Sequence, residues 1–238
     1  MELRLIPHVL LLLTRYWRGT LSAKECKLAA FDISPDAVCV DIGAHCGSWT
    51  LPLSSRVSRG QVLAIEALPY YAKLLGLLVR LVRRANITIV SCAVTDVERS
   101  MKLVWRDSKG RRLTGLTHLV RQDEAETEAL SITGRPLDDI IPRHLHTKVK
   151  FIKCDVEGAE LQVFKGATEI LRQGRPQVYS EINDAFCRRY GHNAADVFRF
   201  FEALAYRAYT LTDRGELQSI AIAEYSGKGD ILFIPGGA

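Results

Sequence analysis

Short apolar, β-branched runs alternate along this chain with longer stretches in which apolar residues recur at helical spacing. Val38–Val40, Val62–Ile65, Asn86–Val90, Val149–Cys154 and Gln177–Ser180 read as buried strands, their apolar residues too continuous for a half-exposed sheet. Between them, Ser48–Val57, Pro69–Arg84 and Ala159–Arg172 read as helices, with Pro52 tolerable only in or near the first turn and Gly174 as a stop. Pro136–Ile141 is a short helix ended by Pro142, and Ala194–Ala205 is amphipathic. Tyr206–Leu211 and Ile231–Ile234 close the chain as strands. Met101–Trp105 and Leu113–Val120 flank Asp107–Gly110 as a hairpin. Strands that alternate with helices long enough for a crossover predict a doubly wound α/β sheet.

Residues 1–34 form a helical preamble to a domain spanning 35–238. Leu3, Ile6, Leu10, Leu13 and Trp17 recur at helical spacing, with Arg4, His8, Arg15 and Arg18 interleaved. Such a helix either packs on the domain, over the sheet or the ligand, or lies on an anionic membrane. Pro69–Arg84 has so little polar face that it is either deeply covered or part of a subunit contact, which would make the chain a homo-oligomer.

The chemistry sits at the ends of the strands. The first strand runs into Asp41, Gly43, Ala44, His45 and Gly47, a glycine-rich turn that opens a helix. A ligand can approach backbone there because glycine has no side chain to block it. The spacing is Asp-x-Gly-x-x-x-Gly, not the Gly-x-Gly-x-x-Gly of dinucleotide binders. Glu66 closes the second strand, where a carboxylate can accept both hydroxyls of a ribose. Asp155 and Glu181 close two later strands, so four acids are expected along one rim. Small residues at Ser91–Val94 leave room for a flat base.

Composition changes this picture little. Apolar residues make up 47% of the 238 and charged residues 25%, ordinary values for a globular chain. The net charge of +5 leaves anionic partners open, but no nucleic-acid partner is expected from lysines and arginines spread this evenly. Six cysteines lack Cys-x-x-Cys spacing, and Cys39, Cys92 and Cys154 fall in or beside core strands, as reduced thiols do. The longest early apolar run, Val9–Leu13, is too short for a membrane span or signal core, so a cytoplasmic protein is expected. The acidic stretch Asp123–Glu128 reads as a solvated loop.

The segments Val40–Gly47, Ile65-Glu66, Ala93–Asp96, Leu137–Asp139 and above all Lys153–Glu160 resemble the FkbM family of S-adenosylmethionine-dependent methyltransferases. The likeness runs from about residue 37 to 183. It implies the Rossmann-like methyltransferase fold: a seven-stranded sheet, mostly parallel, with Tyr206–Leu211 and Ile231–Ile234 as an antiparallel edge pair. It implies S-adenosyl-L-methionine as cofactor, with the Gly43–Gly47 backbone holding the methionine part and Glu66 the ribose. Ala93 and Val94 would border the adenine. The family usually has Asn where His45 stands and Pro where Ala67 stands.

O-methylation of a small-molecule or glycan hydroxyl follows, with Asp155 and Glu181, then Glu157, as base or acceptor contact. A structural role remains open for Glu157 and Glu160, which could cap the helix that follows them. Two oxygen ligands, Asp155 and Glu181, do not make a metal site, and none is assigned. The competing classes are a nicotinamide-dependent oxidoreductase, disfavoured by the glycine spacing, and a cofactor-binding interaction protein without chemistry.

Overall fold

The computed structural model describes residues 6–18, 25–104, 118–119, 129–212 and 215–237. Two helices come first, α1 (Ile6–Trp17) and α2 (Glu25–Leu28). The unit β1 (Val38–Ile42), α3 (Thr50–Arg56), β2 (Gln61–Ile65), α4 (Pro69–Leu81) and β3 (Ile87–Val90) follows. Next come β4 (Ala93–Val94), β5 (Arg99–Val104), β6 (His118–Leu119), β7 (Ala129–Arg135) and α5 (Leu137–Ile140). The second half contains β8 (Val149–Cys154), α6 (Glu160–Lys165), α7 (Thr168–Gln173), β9 (Gln177–Asn183), α8 (Asp184–Cys187) and α9 (Ala194–Ala203). It ends with β10 (Tyr206–Leu211), β11 (Leu217–Ser219) and β12 (Lys228–Pro235).

The central sheet has the order β11-β10-β12-β9-β8-β1-β2-β3. The pairs from β9 across to β3 are parallel, whereas β12 is antiparallel to both β9 and β10, and β11 to β10. The sheet is therefore mostly parallel with an antiparallel edge, but it has eight strands among the described residues, not seven. The extra strand, β11, is three exposed residues, Leu217–Ser219, with no buried face to produce an apolar pattern. A second sheet, β4-β7-β5-β6, stands beside it. β5 and β6 pair antiparallel, as the hairpin requires, while its tip at 107–110 and the acidic stretch 123–128 lie outside the described residues. Strand β7, which lies between β4 and β5, had not been anticipated.

Side chains alternate between the two faces of the main sheet. Val40, Ile42, Ile152 and Ile182 pack beneath α5, α6, α7 and α9, with Phe164 and Phe201 fully buried between. Cys39, Val62, Phe151 and Tyr179 face the other way, onto Phe31, Trp49 and Leu53 of the α2–α3 side. Near β2, that same side carries Leu74, Leu75 and Leu78 of α4, roofed by Val9 and Leu12 of α1. Each such side chain contributes about 1.5–3 kcal/mol when fully buried. The apolar face of the helix at 69–84 that carries Leu74, Leu75 and Leu78 is thus covered within the chain, and α1 packs on α4.

Three boundaries differ from expectation for identifiable reasons. The helix at 159–172 breaks into α6 and α7 at Gly166, whose carbonyl accepts from Asp138 N at 2.9 Å. A Cβ there would stand 2.0 Å from the Thr95 carbonyl oxygen. The Asp138 carboxylate then caps α7, accepting from the backbone N–H groups of Glu169 and Ile170 at 2.9 and 3.0 Å. Asp41 and Glu181, expected at strand ends, lie inside β1 and β9, because ladder pairing continues to Ile42 and to Asn183. Glu66 and Asp155 do follow directly on β2 and β8.

Candidate functional site

The glycine turn after β1 folds over the end of β2. Gly43 N and Ala44 N both donate to the Ile65 carbonyl, at 3.0 and 3.1 Å. His45, with φ of 47°, then donates its backbone N–H to Glu66 Oε2 at 2.8 Å. The other oxygen, Oε1, accepts from Leu68 N at 2.8 Å. Glu66 therefore straps the turn to the start of α4 and keeps lone pairs on both oxygens for a ligand. Burial raises its pKa, and the two N–H bonds oppose that shift. The His45 ring lies on Tyr71, centroids 3.9 Å apart, and its buried Nε2 meets no hydrogen-bond partner among the described residues. Burial lowers its pKa, which favours the neutral imidazole, while the charge of Asp155 opposes that shift.

The β8 end brings charge into the core. Lys153, 3% exposed, is the register partner of buried Asp41 on β1, and its Nζ lies 2.8 Å from Asp155 Oδ2. Thr50 Oγ1 donates to Asp41 Oδ2 at 2.6 Å. Burial opposes the lysine's charge, but the Asp155 and Asp41 carboxylates outweigh it and hold its pKa above the ordinary value. Beyond Asp155 the chain turns through Glu157 and Gly158, with φ of 56° and 110°. Glu160 secures this turn: its Oε1 accepts from Val156 N at 3.3 Å and Gly158 N at 3.0 Å. Burial pushes Glu160 up to about 7. Glu157 also rises to about 7, first through burial and then through the charges of Asp155 and Glu181.

Both strand ends open on one cavity of about 300 Å³, within the size range of small-molecule sites. Of the expected residues, Gly43, Ala44, His45, Glu66, Ala93, Val94, Asp155 and Glu157 line it. Asp41, Gly47 and Glu181 do not: Asp41 faces Thr50 and Lys153, and Gly47 packs against Leu75. Glu181 pairs in register with Asp230, and its pKa is raised by burial and then by Asp155 and Asp230. Cys92 lines it too, within the small-residue run expected at 91–94, whereas Lys153, Tyr71, Trp49 and Leu103 line the cavity without having been anticipated. For Lys153 a signal existed, since alternation from buried Phe151 puts it on the same face. Leu103 gave none, because it arrives from the second sheet. Among the described residues, no three His, Cys, Asp or Glu side chains gather as metal ligands.

An open, largely parallel sheet with a polar-lipped cavity at the carboxyl ends of β1, β2 and β8 defines an α/β protein of the doubly wound class, with its cavity where such folds place their sites. A family model described as the methyltransferase FkbM domain matches residues 41–208, and the chain belongs to that family. Its fold is similar to that of the crystal structure of methyltransferase FkbM from Methylobacillus flagellatus KT, with a TM-score of 0.56 and 20% identity. That match covers 85% of this chain and 44% of the other, so this chain spans less than half of it. The AMB antimetabolite synthetase AmbE of Pseudomonas aeruginosa is 24% identical over 184 residues, which are 64% of this chain and 9% of the synthetase. Among the described residues no helix is long and apolar enough to cross a membrane.

Proposed function

We propose that this chain is an S-adenosylmethionine-dependent methyltransferase that acts on a hydroxyl of a small molecule or glycan. The observation that carries this reading is the single cavity bounded by the glycine turn and Glu66 on one side and by Asp155 and Glu157 on the other. The residues fit a nucleoside cofactor on three counts. Glu66 has spare lone pairs for a ribose, Ala93, Val94 and Leu103 give an apolar slot for a base, and His45 Nε2 is an unsatisfied polar atom. The cofactor would supply an electrophilic methyl group on sulfur.

What the chain adds is orientation and a place for the acceptor's proton. Asp155 is paired with Lys153, which fixes its position and suits it to hold a hydroxyl in place. Glu157, raised to about 7, is better matched to remove a proton at neutral pH. Glu181 acts on both as a nearby negative charge. The likeness to part of an antimetabolite synthetase supports a small-molecule acceptor. Reduced cysteines in the described chain (Cys39, Cys46, Cys92, Cys154 and Cys187) support a reducing, cytoplasmic setting.

Calorimetry with S-adenosylhomocysteine and with NADH tests the cofactor. Saturable one-site binding of the first and none of the second is expected; the reverse would make the protein an oxidoreductase. A methyl-transfer screen over sugars and hydroxylated metabolites then tests the acceptor. Cofactor binding with no transfer to any hydroxyl, but transfer to an amine, would overturn the O-directed assignment.

A further inference from the structure

The paired helices α1 and α4 share a charge pattern that the cavity does not use. Residues 6–18, which contain α1, and 69–84, which contain α4, carry Arg15, Arg18, Lys73, Arg80, Arg83 and Arg84 and no acid at all. These six belong to a chain with 32 Lys and Arg against 27 Asp and Glu, leaving 26 cations against 27 acids everywhere else. The whole positive excess of the protein therefore sits on these two packed helices and the residues that directly follow them.

The helices lie side by side in the same sense. Tyr70 Oη meets His8 Nδ1 at 3.2 Å near their starts, and Arg84 Nη2 donates to Tyr16 Oη at 3.3 Å near their ends. Val9 and Leu12 turn inward onto Leu74 and Leu78, and helical spacing puts Leu10, Leu11 and Arg18 on the opposite side of α1. Leu10 and Leu11 are each 56% exposed and Leu81 at the end of α4 is 57% exposed. They account for three of the five large hydrophobics that stand out into solvent among the described residues; exposed Arg15 lies one turn beyond Leu11, and exposed Arg80 and Arg83 flank Leu81.

We propose that the α1–α4 surface docks the protein peripherally on an anionic lipid bilayer, with Leu10, Leu11 and Leu81 entering the interface and the arginines meeting lipid phosphates. Exposed leucines among cations with no acid are the composition of a helix that lies in the headgroup region. A second copy of the chain fits the surface poorly. A two-fold contact would set the arginines of these helices against one another, and neither helix carries a carboxylate to offset them. Nucleic acid would account for the arginines but not for the leucines.

Vesicle sedimentation of the full chain tests this. The probes are phosphatidylcholine vesicles and vesicles of roughly 70:30 phosphatidylcholine to phosphatidylserine. Binding to the anionic vesicles is expected, weakening as salt rises from about 0.1 to 0.5 M, with none to the neutral ones. Arg80→Gln with Arg83→Asn, and separately Leu10→Ser with Leu11→Ser, should each weaken binding by at least ~10-fold. Neither pair lines the cavity, so S-adenosylhomocysteine binding serves as the control for folding, and failure of the cofactor assignment would show separately. Failure to sediment with anionic vesicles, equal sedimentation with both kinds, or variants that bind like wild type would overturn the proposal. So would a concentration-dependent dimer in sedimentation velocity that Leu10→Ser with Leu11→Ser abolishes, since the surface would then be a subunit contact.

Discussion

A Cβ added to Gly43 would stand 2.0 Å from the carbonyl oxygen of Asp155. The β1 and β8 ends press together at this point, with Asp155 N donating to the Ile42 carbonyl at 3.1 Å. Glycine is thus required at position 43 by the neighbouring strand, whatever ligand the turn also admits. Gly191 has nearly the same φ, 75° against 77°, with nothing within 4 Å of an added Cβ.

That pair gives a controlled comparison. Gly191→Ala should cost only the left-handed backbone term, about 1–2 kcal/mol. Gly43→Ala adds a backbone clash that cannot relax without parting two strands, and should cost at least twice as much. Urea denaturation of both variants checks this. Equal losses would mean that the strand ends move apart easily.

Glu66 joins three pieces of chain, so its removal should register in stability as well as in binding. Glu66→Ala frees the backbone N–H groups of His45 and Leu68 and should cost roughly 1.5–3 kcal/mol for each charged hydrogen bond lost. Glu66→Gln retains one oxygen acceptor and should recover part of this while still weakening S-adenosylhomocysteine. Thermal denaturation and calorimetry on the two variants separate the strap from the ligand contact. A Glu66→Ala protein as stable as wild type would show that the strap carries no weight.

Lys153→Met leaves Asp41 and Asp155 without their shared cation. Breaking a buried ion pair by removing one partner costs about 3–5 kcal/mol. The pH dependence carries the sign. The lysine's folded pKa lies above its ordinary 10.5, so its contribution is complete below 10.5 and fades only as pH rises through the higher folded value. The deficit of the variant should therefore be full at pH 8. It should shrink only as pH rises through the lysine's folded value. Denaturation midpoints from pH 8 upward to about 11 test this; a deficit independent of pH would mean that lost packing, not charge, is responsible.

Glu157 should titrate near 7 in the folded protein, against 4.5 for an ordinary glutamate. An acid with a raised pKa holds a proton in the folded state that the unfolded chain has released. Its contribution to stability thus falls as pH rises from 4.5 to about 7 and is level above that. Carboxyl NMR titration reads the midpoint directly. Glu181→Gln removes one of the charges that raise it and should move the midpoint down. A Glu157 midpoint near 4.5, or one that ignores residue 181, would remove it as the base at neutral pH.

Much of this molecule follows from local pattern. Period-two and period-3.6 spacings set most strands and helices, because an element between two packed layers must show its buried face in its own residues. The glycine turn, Glu66 and Asp155 were legible for the same reason: chemistry at the end of a parallel strand lies next to the apolar run that precedes it. The break at Gly166 was not, since it depends on the Thr95 carbonyl, which is distant in sequence. Strand β11 escaped because pairing with β10, not burial, defines it. Only the register of β1 against β8 puts Lys153 beside Asp41, and only the packing of the second sheet brings Leu103 to the cavity. Sequence alone determined which segments are strands and helices and which acids stand near the rim. The tertiary structure decided which of those acids share a cavity and which residues balance their charge, because distance, burial and electrostatic pairing belong to the assembled sheet and to no single stretch of it.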